Sequence, residues 1–354
     1  RIMSKAAELA SLASASETAL SNRNMIINGA MQISQRATST TGVGASAGYF
    51  ACDRWKVETG NSAGRFTMSQ DTSDTPNGFA NALKFDCTTA DTSIAASEYL
   101  IISHRLEGQD VQQLKKGTAD AEQITVSFYV KGNASATYVL EMFEQTNLRN
   151  NTQAFSVTTE WNKIELTFAA DTTGVPANTN TLGWQFNFWL HGGSDYTSGT
   201  FASNTWGSQT PVNKYAGSKT SFYDSTSRTL SITGVQMEVG PVATSFEHRS
   251  VGQEMALCQR YYQTINPKVN AIFAAGYQNN SERISQTHRL GVEMRIDPTC
   301  TVHGTWNVTG CDQPVFTSFS KNVVATHILK SGGAGSAFYY PDGTGDYFSM
   351  DAEL

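Results

Sequence analysis

This sequence of 354 residues has few charged side chains and no long apolar run. Charged residues make up 16% of the chain and leave a formal net charge of −6, so the sequence lacks the basic footprint expected of a nucleic-acid-binding protein. No apolar stretch approaches the roughly 18 residues that a membrane-spanning helix needs, and no signal peptide is recognisable. We therefore expect neither nucleic-acid binding nor membrane insertion.

Cysteine is also scarce. The five cysteines are widely spaced and form no CxxC pair, so the sequence indicates neither a zinc site nor a disulfide scaffold. Buried free thiols are the expected state. The six histidines are scattered along the chain without HxxxH spacing, so the sequence identifies no metal site.

Short apolar strands separated by turn signals fill residues 22–249. Period-two alternation predicts the following strands: Arg65–Ser69, Ala82–Cys87, Tyr99–Leu106, Ile124–Val130, Thr137–Phe143, Trp161–Phe168 and Leu182–Leu190. No helical period interrupts them, and the absence of a repeat of about 20–29 residues argues against a β-helix. The pattern predicts a mainly β fold, with a two-sheet β-sandwich or jelly roll as this domain.

The segment after Arg228 closes this domain and opens a helix. Leu230 and Ile232 occupy even-numbered positions, whereas Val235 and the apolar residues that follow it occupy odd-numbered positions. This change in alternation predicts a β-bulge with one extra residue at Gly234. A capping-box spacing then predicts a connecting helix over residues 250–262, beginning at Val251. Its predicted apolar stripe consists of Val251, Met255, Cys258 and Tyr262.

Residues 1–21 have a different pattern. Apolar and small residues recur there with 4-3-4-3-4 spacing, which predicts about three heptads of a coiled-coil stalk and favours three strands, hence a homotrimer. The alternative is one amphipathic helix packed on its own domain, because so short a coiled coil is marginal in water. The sequence begins at Arg1 rather than Met, so we expect an upstream part of the stalk.

The pattern of residues 263–354 predicts a second, smaller β-domain. Its candidate strands are Ala271–Phe273, Val302–Trp306, Val323–Leu329 and Ala337–Tyr340. Asp342-Gly343 is a turn signal of the kind that tightens a hairpin. Contacts within a trimer could complete this domain.

Two parts of the chain resemble one family. ITGVQMEVG, ATSFEHRS and EMALCQRYYQ follow one another between residues 232 and 263, and NRNMIINGAMQISQR occupies residues 22–36, followed by Asp53-Arg54-Trp55. Together they resemble tail-fibre and receptor-binding proteins of bacteriophages. The region between them is similar to a carbohydrate-binding-module jelly roll. The resemblance implies a trimeric virion component, a tail fibre assembled in the bacterial cytoplasm, with upstream tail proteins as partners.

The strand Leu182–Leu190 predicts a candidate sugar site. Alternation places Trp184 in the core and puts Gln185, Asn187 and Trp189 on the opposite face. An exposed indole can stack on a sugar ring while the flanking amides bond its hydroxyls. The alternative is that Trp189 packs against a loop or a neighbouring subunit.

The long polar loop after this strand adds two aromatic candidates. Tyr196 and Trp206 lie in it, and loops of this length are often functional. Trp206 is also compatible with a structural anchor, the interpretation we favour. A structural calcium ion would suit a jelly-roll sugar module, although the sequence defines no ligands and calls for no other cofactor.

Catalytic signals are weak. Glu141 and Glu144 could form a carboxylate pair, but nothing in the sequence fixes their separation. We therefore expect a non-enzymatic adhesin that binds host lipopolysaccharide or capsule. The alternatives are a fragment of a polysaccharide depolymerase, a purely structural tail connector, and an adhesin for a protein receptor.

Overall fold

The computed structural model describes residues 23–278, 283–329 and 335–354. The coiled coil predicted for residues 1–21 lies outside them. The chain divides into two compact units, Arg1–Val251 and Gly252–Leu354. Among the described residues, no helix is both long enough and apolar enough to cross a membrane.

The first unit is a sandwich of two antiparallel β-sheets. In chain order its strands are β1 (Ser39–Val43), β2 (Gly48–Tyr49), β3 (Trp55–Gly60), β4 (Arg65–Asp71), β5 (Ala82–Thr89), β6 (Tyr99–Glu107), β7 (Ile124–Gly132), β8 (Ala136–Glu144), β9 (Arg149–Val157), β10 (Asn162–Phe168), β11 (Leu182–Gly192), β12 (Gly207–Ser208) and β13 (Thr229–Val239). One sheet has the order β1-β4-β5-β13-β7-β10, and the other has the order β12-β9-β8-β11-β6-β3-β2.

Short helical segments connect some of these strands. The four-residue helix α1 (Ser194–Thr197) follows β11 directly. Two 3-10 segments, Gly108–Leu114 and Pro211–Asn213, follow β6 and β12.

One aromatic core joins the two sheets. Phe128 of β7 packs edge-on against Phe188 of β11, with ring centroids 5.1 Å apart, and Phe155 of β9 contacts both rings. Burying side chains of this size stabilises the fold by roughly 1.5–3 kcal/mol each. The predicted β-sandwich is confirmed, and each strand predicted in this unit is present within a few residues of its expected ends. Strand β9 has no predicted counterpart, because Asn150, Asn151 and Thr152 obscure its alternation.

The predicted bulge lies where the parity of β13 changes. The pairing of β13 with β7 shifts register between Thr233 and Gln236, and Gly234 has a φ of +63°. A Cβ at Gly234 would lie 2.6 Å from the ring of Phe79. Glycine is therefore required here both by backbone conformation and by space.

The two parts of the chain that carry the family resemblance meet in space. The backbone N–H of Met25 donates to the carbonyl of Met237 at 2.9 Å, and Asn24 donates through Nδ2 to Val235 O at 3.1 Å. The Arg249 guanidinium donates to the carbonyls of Asn24 and Ile26. These contacts give both parts a structural role, since they satisfy buried backbone groups between segments far apart in the sequence.

The second unit contains small antiparallel sheets. Helix α2 (Val251–Gln259) leads into it. Its strands are β14 (Tyr262–Ile265), β15 (Ala274–Gln278), β16 (Arg283–Arg289), β17 (Thr299–His303), β18 (Asn307–Thr309), β19 (Val315–Phe319), β20 (Val323–Leu329), β21 (Gly335–Tyr340) and β22 (Tyr347–Asp351). The sheets have the orders β14-β22-β17, β15-β21-β18 and β16-β20-β19.

The predicted connecting helix needs correction at its end. Helix α2 begins at Val251 as expected but ends at Gln259, because Tyr262 starts β14. Val251 is 60% exposed, so it does not belong to a buried stripe.

The strand predictions for the second unit are partly correct. Val323–Leu329 is strand β20, and Ala337–Tyr340 falls within β21. Residues 271–273 precede β15 rather than form a strand, and the strand expected over residues 302–306 ends at His303. Asp342-Gly343 does not close a hairpin, because β21 and β22 belong to different sheets.

The aromatic centre of the second unit consists of Trp306, Tyr339 and Phe348. The Trp306 ring stacks on Phe348 with centroids 4.5 Å apart and contacts Tyr339 at 5.5 Å. The unit therefore has a core of its own. The cysteines of both units are free thiols, and all are buried as expected except Cys300, which is half-buried.

Candidate functional site

Strand β11 lies in the seven-stranded sheet, and its side chains alternate between the core face and the outward face of that sheet. On its core face Trp184, Phe186 and Phe188 are fully buried. Gln185, Asn187 and Trp189 share the other face, as predicted from alternation. Register places Asn187 opposite Glu141 of β8 and opposite Ser103 of β6, so the outward face is continuous across three strands.

The expectation that Trp189 faces solvent is wrong. Only 2% of this residue is exposed, because the segment that follows β11 folds back over it. Tyr196 lies 5.2 Å from the indole and Tyr215 stacks on it at 6.3 Å, both measured between ring centroids. The Lys214 ammonium lies 5.7 Å from the same ring. In this conformation the indole is covered by the chain itself and cannot stack on a sugar.

Glu141 lies beneath this segment and is the common partner of the polar side chains there. The carboxylate is fully buried and accepts hydrogen bonds from Trp189 Nε1 at 2.7 Å, Asn187 Nδ2 at 3.1 Å and Asn150 Nδ2 at 2.9 Å. Lys214 Nζ lies 3.0 Å from Glu141 Oε1 and supplies the opposite charge. A buried carboxylate needs such partners, since an unpaired one is costly to desolvate.

Sequence reasoning missed the roles of Glu141 and Lys214. The sequence signal that could identify Glu141 is a carboxylate in the middle of an otherwise apolar strand. By alternation, Glu141 is on the same face of the sheet as Val139 and Phe143. Lys214 belongs to the segment after β11, far from β8 in the sequence. Its contact with Glu141 depends on how that segment returns to the sheet, and no local pattern encodes this return.

Two other predicted site residues lie at the margin of this face. Gln185 is half-buried and donates through Nε2 to Gln145 Oε1 at 2.8 Å. Tyr196 is half-buried between Trp189 and Tyr99, with its ring centroid 5.4 Å from that of Tyr99. Burial raises the pKa of the Tyr196 phenol, which therefore stays a neutral hydrogen-bonding group. The structure thus brings Trp189, Asn187 and Tyr196 together, with Gln185 beside them.

Trp206 lies apart from this cluster. Its indole N–H donates to the carbonyl of Ala169 at 2.7 Å, and its ring packs edge-on against Trp184, 5.5 Å between centroids. Trp184 is on the core face of β11, so Trp206 contacts the opposite side of the sheet from Trp189. These contacts favour the structural anchor over the ligand contact for Trp206.

A polar cleft opens beside the covered face, where the edge strand β12 pairs with β9. Its volume is about 170 Å³, and none of its lining side chains is ionisable. The lining residues are Asn150, Thr152, Ala202, Thr205, Gly207, Ser208, Thr210 and Asn213. Asn150 connects the cleft to the buried Glu141 carboxylate, because its side chain also donates a hydrogen bond to Glu141.

Several polar groups of the cleft are available to a ligand. Within the described part of the chain, the hydroxyls of Ser208 and Thr210 have no hydrogen-bond partner, and both residues are exposed. Asn213 accepts the backbone N–H of Thr200 through Oδ1 at 2.9 Å, which orients the amide. A Cβ at Gly207 would meet no atom within 4 Å, so the cleft is open at that point. The arrangement can donate hydrogen bonds to hydroxyl or carbonyl oxygens and accept them from hydroxyl groups.

Potential catalytic carboxylates are engaged in structural contacts. Glu141 and Glu144 are both fully buried, and Glu144 accepts the backbone N–H of Thr146 at 2.6 Å. Neither carboxylate can reach a substrate in this conformation, as acid–base catalysis would require. Among residues 23–278, 283–329 and 335–354, no group of three or more His, Cys, Asp and Glu side chains could hold a metal ion.

A serine, a histidine and a glutamate form a chain of contacts at the end of β11. Ser221 Oγ is 2.8 Å from His191 Nδ1, and His191 Nε2 is 3.5 Å from Glu98. The imidazole is fully buried, and this burial lowers the pKa of His191. Ser221 Oγ also accepts the backbone N–H of Tyr223 at 3.1 Å. We assign this group to positioning the chain after β11.

Comparison with known proteins gives only faint similarities. No family model and no curated protein matches the chain. A solved structure described as "CBM4 structure and function" is similar with a TM-score of 0.32 at 12% identity, covering 60% of this chain and 99% of that one. A family 11 carbohydrate-binding module from Clostridium thermocellum, in complex with a mixed-linked tetrasaccharide, has a TM-score of 0.28 at 10% identity and covers 58% and 98%.

A third similar structure is the CBM22-1 xylan-binding domain from Paenibacillus barcinonensis Xyn10C. Its TM-score is 0.27 at 12% identity, and the similarity covers 60% of this chain and 92% of that one. TM-scores this low do not define a family. The β-sandwich of this chain is therefore described from its own sheet order and core.

Proposed function

We propose that this chain is the distal part of a phage tail fibre, a trimeric adhesin that binds a glycan on the host surface without cleaving it. The observation that carries glycan binding is the uncharged cleft beside β9 and β12, with the available hydroxyls of Ser208 and Thr210 and the oriented amide of Asn213. Hydroxyls and amides that converge in a cleft suit a sugar, whose own hydroxyl groups both donate and accept hydrogen bonds. The tail-fibre setting rests on the sequence resemblance of residues 22–36 and 232–263.

The composition of the cleft favours an uncharged part of the glycan. No lysine or arginine lines the cleft to neutralise a carboxylate or phosphate. The nearby cation Lys214 is already paired with Glu141. Burying an anionic sugar without a counter-charge would be costly, so neutral sugars of lipopolysaccharide or capsule are the proposed ligands.

Trp189 takes a different role from the one predicted for it. Its ring supports the segment that carries Lys214 and Asn213, and its N–H holds Glu141 in place. Trp189 and Asn187 thus support the site from beneath, while the groups of the cleft contact the ligand. Three copies on one stalk would convert weak sites into firm attachment through effective concentration.

The test is binding of the purified chain to isolated host lipopolysaccharide and capsule, with mass measured by light scattering on the same sample. The proposal predicts a trimer that binds glycan and releases no new reducing ends. Release of reducing ends would favour the depolymerase alternative. A trimer that binds no glycan would contradict the proposal and favour a structural connector or a protein receptor, and a monomer would contradict the stalk.

A further inference from the structure

The ammonium group of Lys116 occupies a buried cage of oxygen atoms. Its Nζ donates to the carbonyls of Thr173 and Gly174, each at 2.8 Å, and lies 2.9 Å from Asp171 Oδ2. A second carboxylate, Glu144 Oε2, is 3.8 Å away. Only 3% of the Lys116 side chain is exposed. An ammonium has three donors and no acceptor, and three close oxygens satisfy them here.

The cage is held by contacts that do not involve Lys116. Arg149 donates to both carboxylate oxygens of Asp171 at 2.8 and 2.9 Å. Glu144 accepts the backbone N–H groups of Thr146 and Asn147 at 2.6 and 3.0 Å. Burial would raise the pKa of Asp171, but the hydrogen bonds from Arg149 and Lys116 hold it below its usual range. Asp171 is therefore ionised, and both carboxylates are fixed in place.

The cage has the ligand chemistry of a hard-cation site. Backbone carbonyl and carboxylate oxygens are the ligands that hard cations such as calcium take in proteins. The ammonium of lysine is a compact point charge, so it can stand where such an ion would stand. With Lys116 removed, two carboxylates and one guanidinium would leave one net negative charge, from Asp171, Glu144 and Arg149.

We propose that Lys116 is a built-in structural cation, and that shortening its side chain uncovers a binding site for a free cation with a preference for oxygen ligands. Potassium and ammonium ions match the single charge that is removed. The oxygen distances of 2.8–2.9 Å exceed the roughly 2.3–2.6 Å of calcium sites, so calcium would require the cage to contract. The native domain accordingly needs no calcium ion at this place.

The test compares thermal unfolding of Lys116→Ala in potassium, ammonium, calcium and choline chloride at one ionic strength. We expect Lys116→Ala to unfold at a lower temperature than the native chain in choline, and potassium or ammonium to raise its Tm by roughly 5–10 °C in a saturable manner. The controls are the native chain and Lys115→Ala, which changes the exposed neighbouring lysine. Each control should have the same Tm in all four salts.

Two further variants separate a filled cage from a general salt effect. Lys116→Met keeps most of the length of the side chain without its charge and should show no specific rescue. Lys116→Ala combined with Asp171→Asn should lose the rescue, because a cage oxygen has lost its charge. Equal salt responses in all variants would overturn the proposal, as would failure of Lys116→Ala to fold in every one of these salts.

Discussion

The indole N–H of Trp189 donates to the buried carboxylate of Glu141 at 2.7 Å, and this contact lies beneath the chain rather than at the surface. Although Trp189 is on the outward face of the sheet, it therefore lies beneath the segment that follows β11 and supports that segment. The segment that covers it carries both Lys214, which pairs with Glu141, and Asn213, which lines the cleft. Attachment of that segment and the shape of the cleft depend on the same carboxylate.

The pair Glu141–Lys214 should be strongly coupled. Glu141→Gln removes the buried charge that Lys214 faces and should lower the free energy of unfolding by about 3 kcal/mol. Lys214→Met leaves Glu141 without its cation and should also destabilise the domain. A double-mutant cycle by urea unfolding should give a coupling energy of about 1–3 kcal/mol. Additive effects would mean that the ion pair does not hold the segment.

The bulge at Gly234 should tolerate no side chain. Gly234→Ala places a Cβ 2.6 Å from Phe79 at a φ of +63°, and we expect a loss of about 2–4 kcal/mol in the free energy of unfolding. Gly207→Ala is the matched control, because its Cβ meets no atom within 4 Å. Equal stability of the two variants would contradict the structural role of the bulge.

How much of the fold the sequence predicts depends on where the stabilising contacts lie. Alternation along β7 and β11 predicts those strands because each side chain meets either the core or the outward face. The parity change at Gly234 predicts the bulge for the same local reason. Local patterns therefore define the strands and the bulge of the sandwich.

The candidate site could not be predicted in the same way. Alternation places Trp189 on the outward face, but its burial depends on the return of a segment that includes Tyr215. The cleft similarly forms where β12 pairs with β9, two strands that sequence patterns did not reveal. Trp206 illustrates the same limit, since its partner Ala169 belongs to a separate part of the chain.

The domain should lose stability in mild acid. Burial lowers the pKa of His104 well below the ordinary value of about 6.5, and burial also lowers the pKa of His191. The unfolded chain then binds protons that the folded chain does not, so stability is present above about pH 6.5 and is lost as the pH falls below it. Urea unfolding across this range should reveal the loss.

His104→Gln provides the check on this assignment. It should reduce the slope of stability against pH below about 6.5, whereas His248→Gln, at an exposed imidazole, serves as the control. His104 also contacts the carbonyl of Ile27 at 3.0 Å, so some loss of stability at neutral pH is expected from the substitution. An unchanged slope would show that another group causes the acid sensitivity.

The most direct test of glycan binding in the cleft is a comparison of Gly207→Leu with the native chain on isolated host lipopolysaccharide and capsule. The new side chain enters open space, so the Tm should stay unchanged while binding to neutral glycan falls at least about tenfold, equivalent to about 1.4 kcal/mol. Gly291→Leu, at another open position in the second unit, should bind as the native chain does. Undiminished binding by a folded Gly207→Leu variant would contradict the cleft as the glycan site.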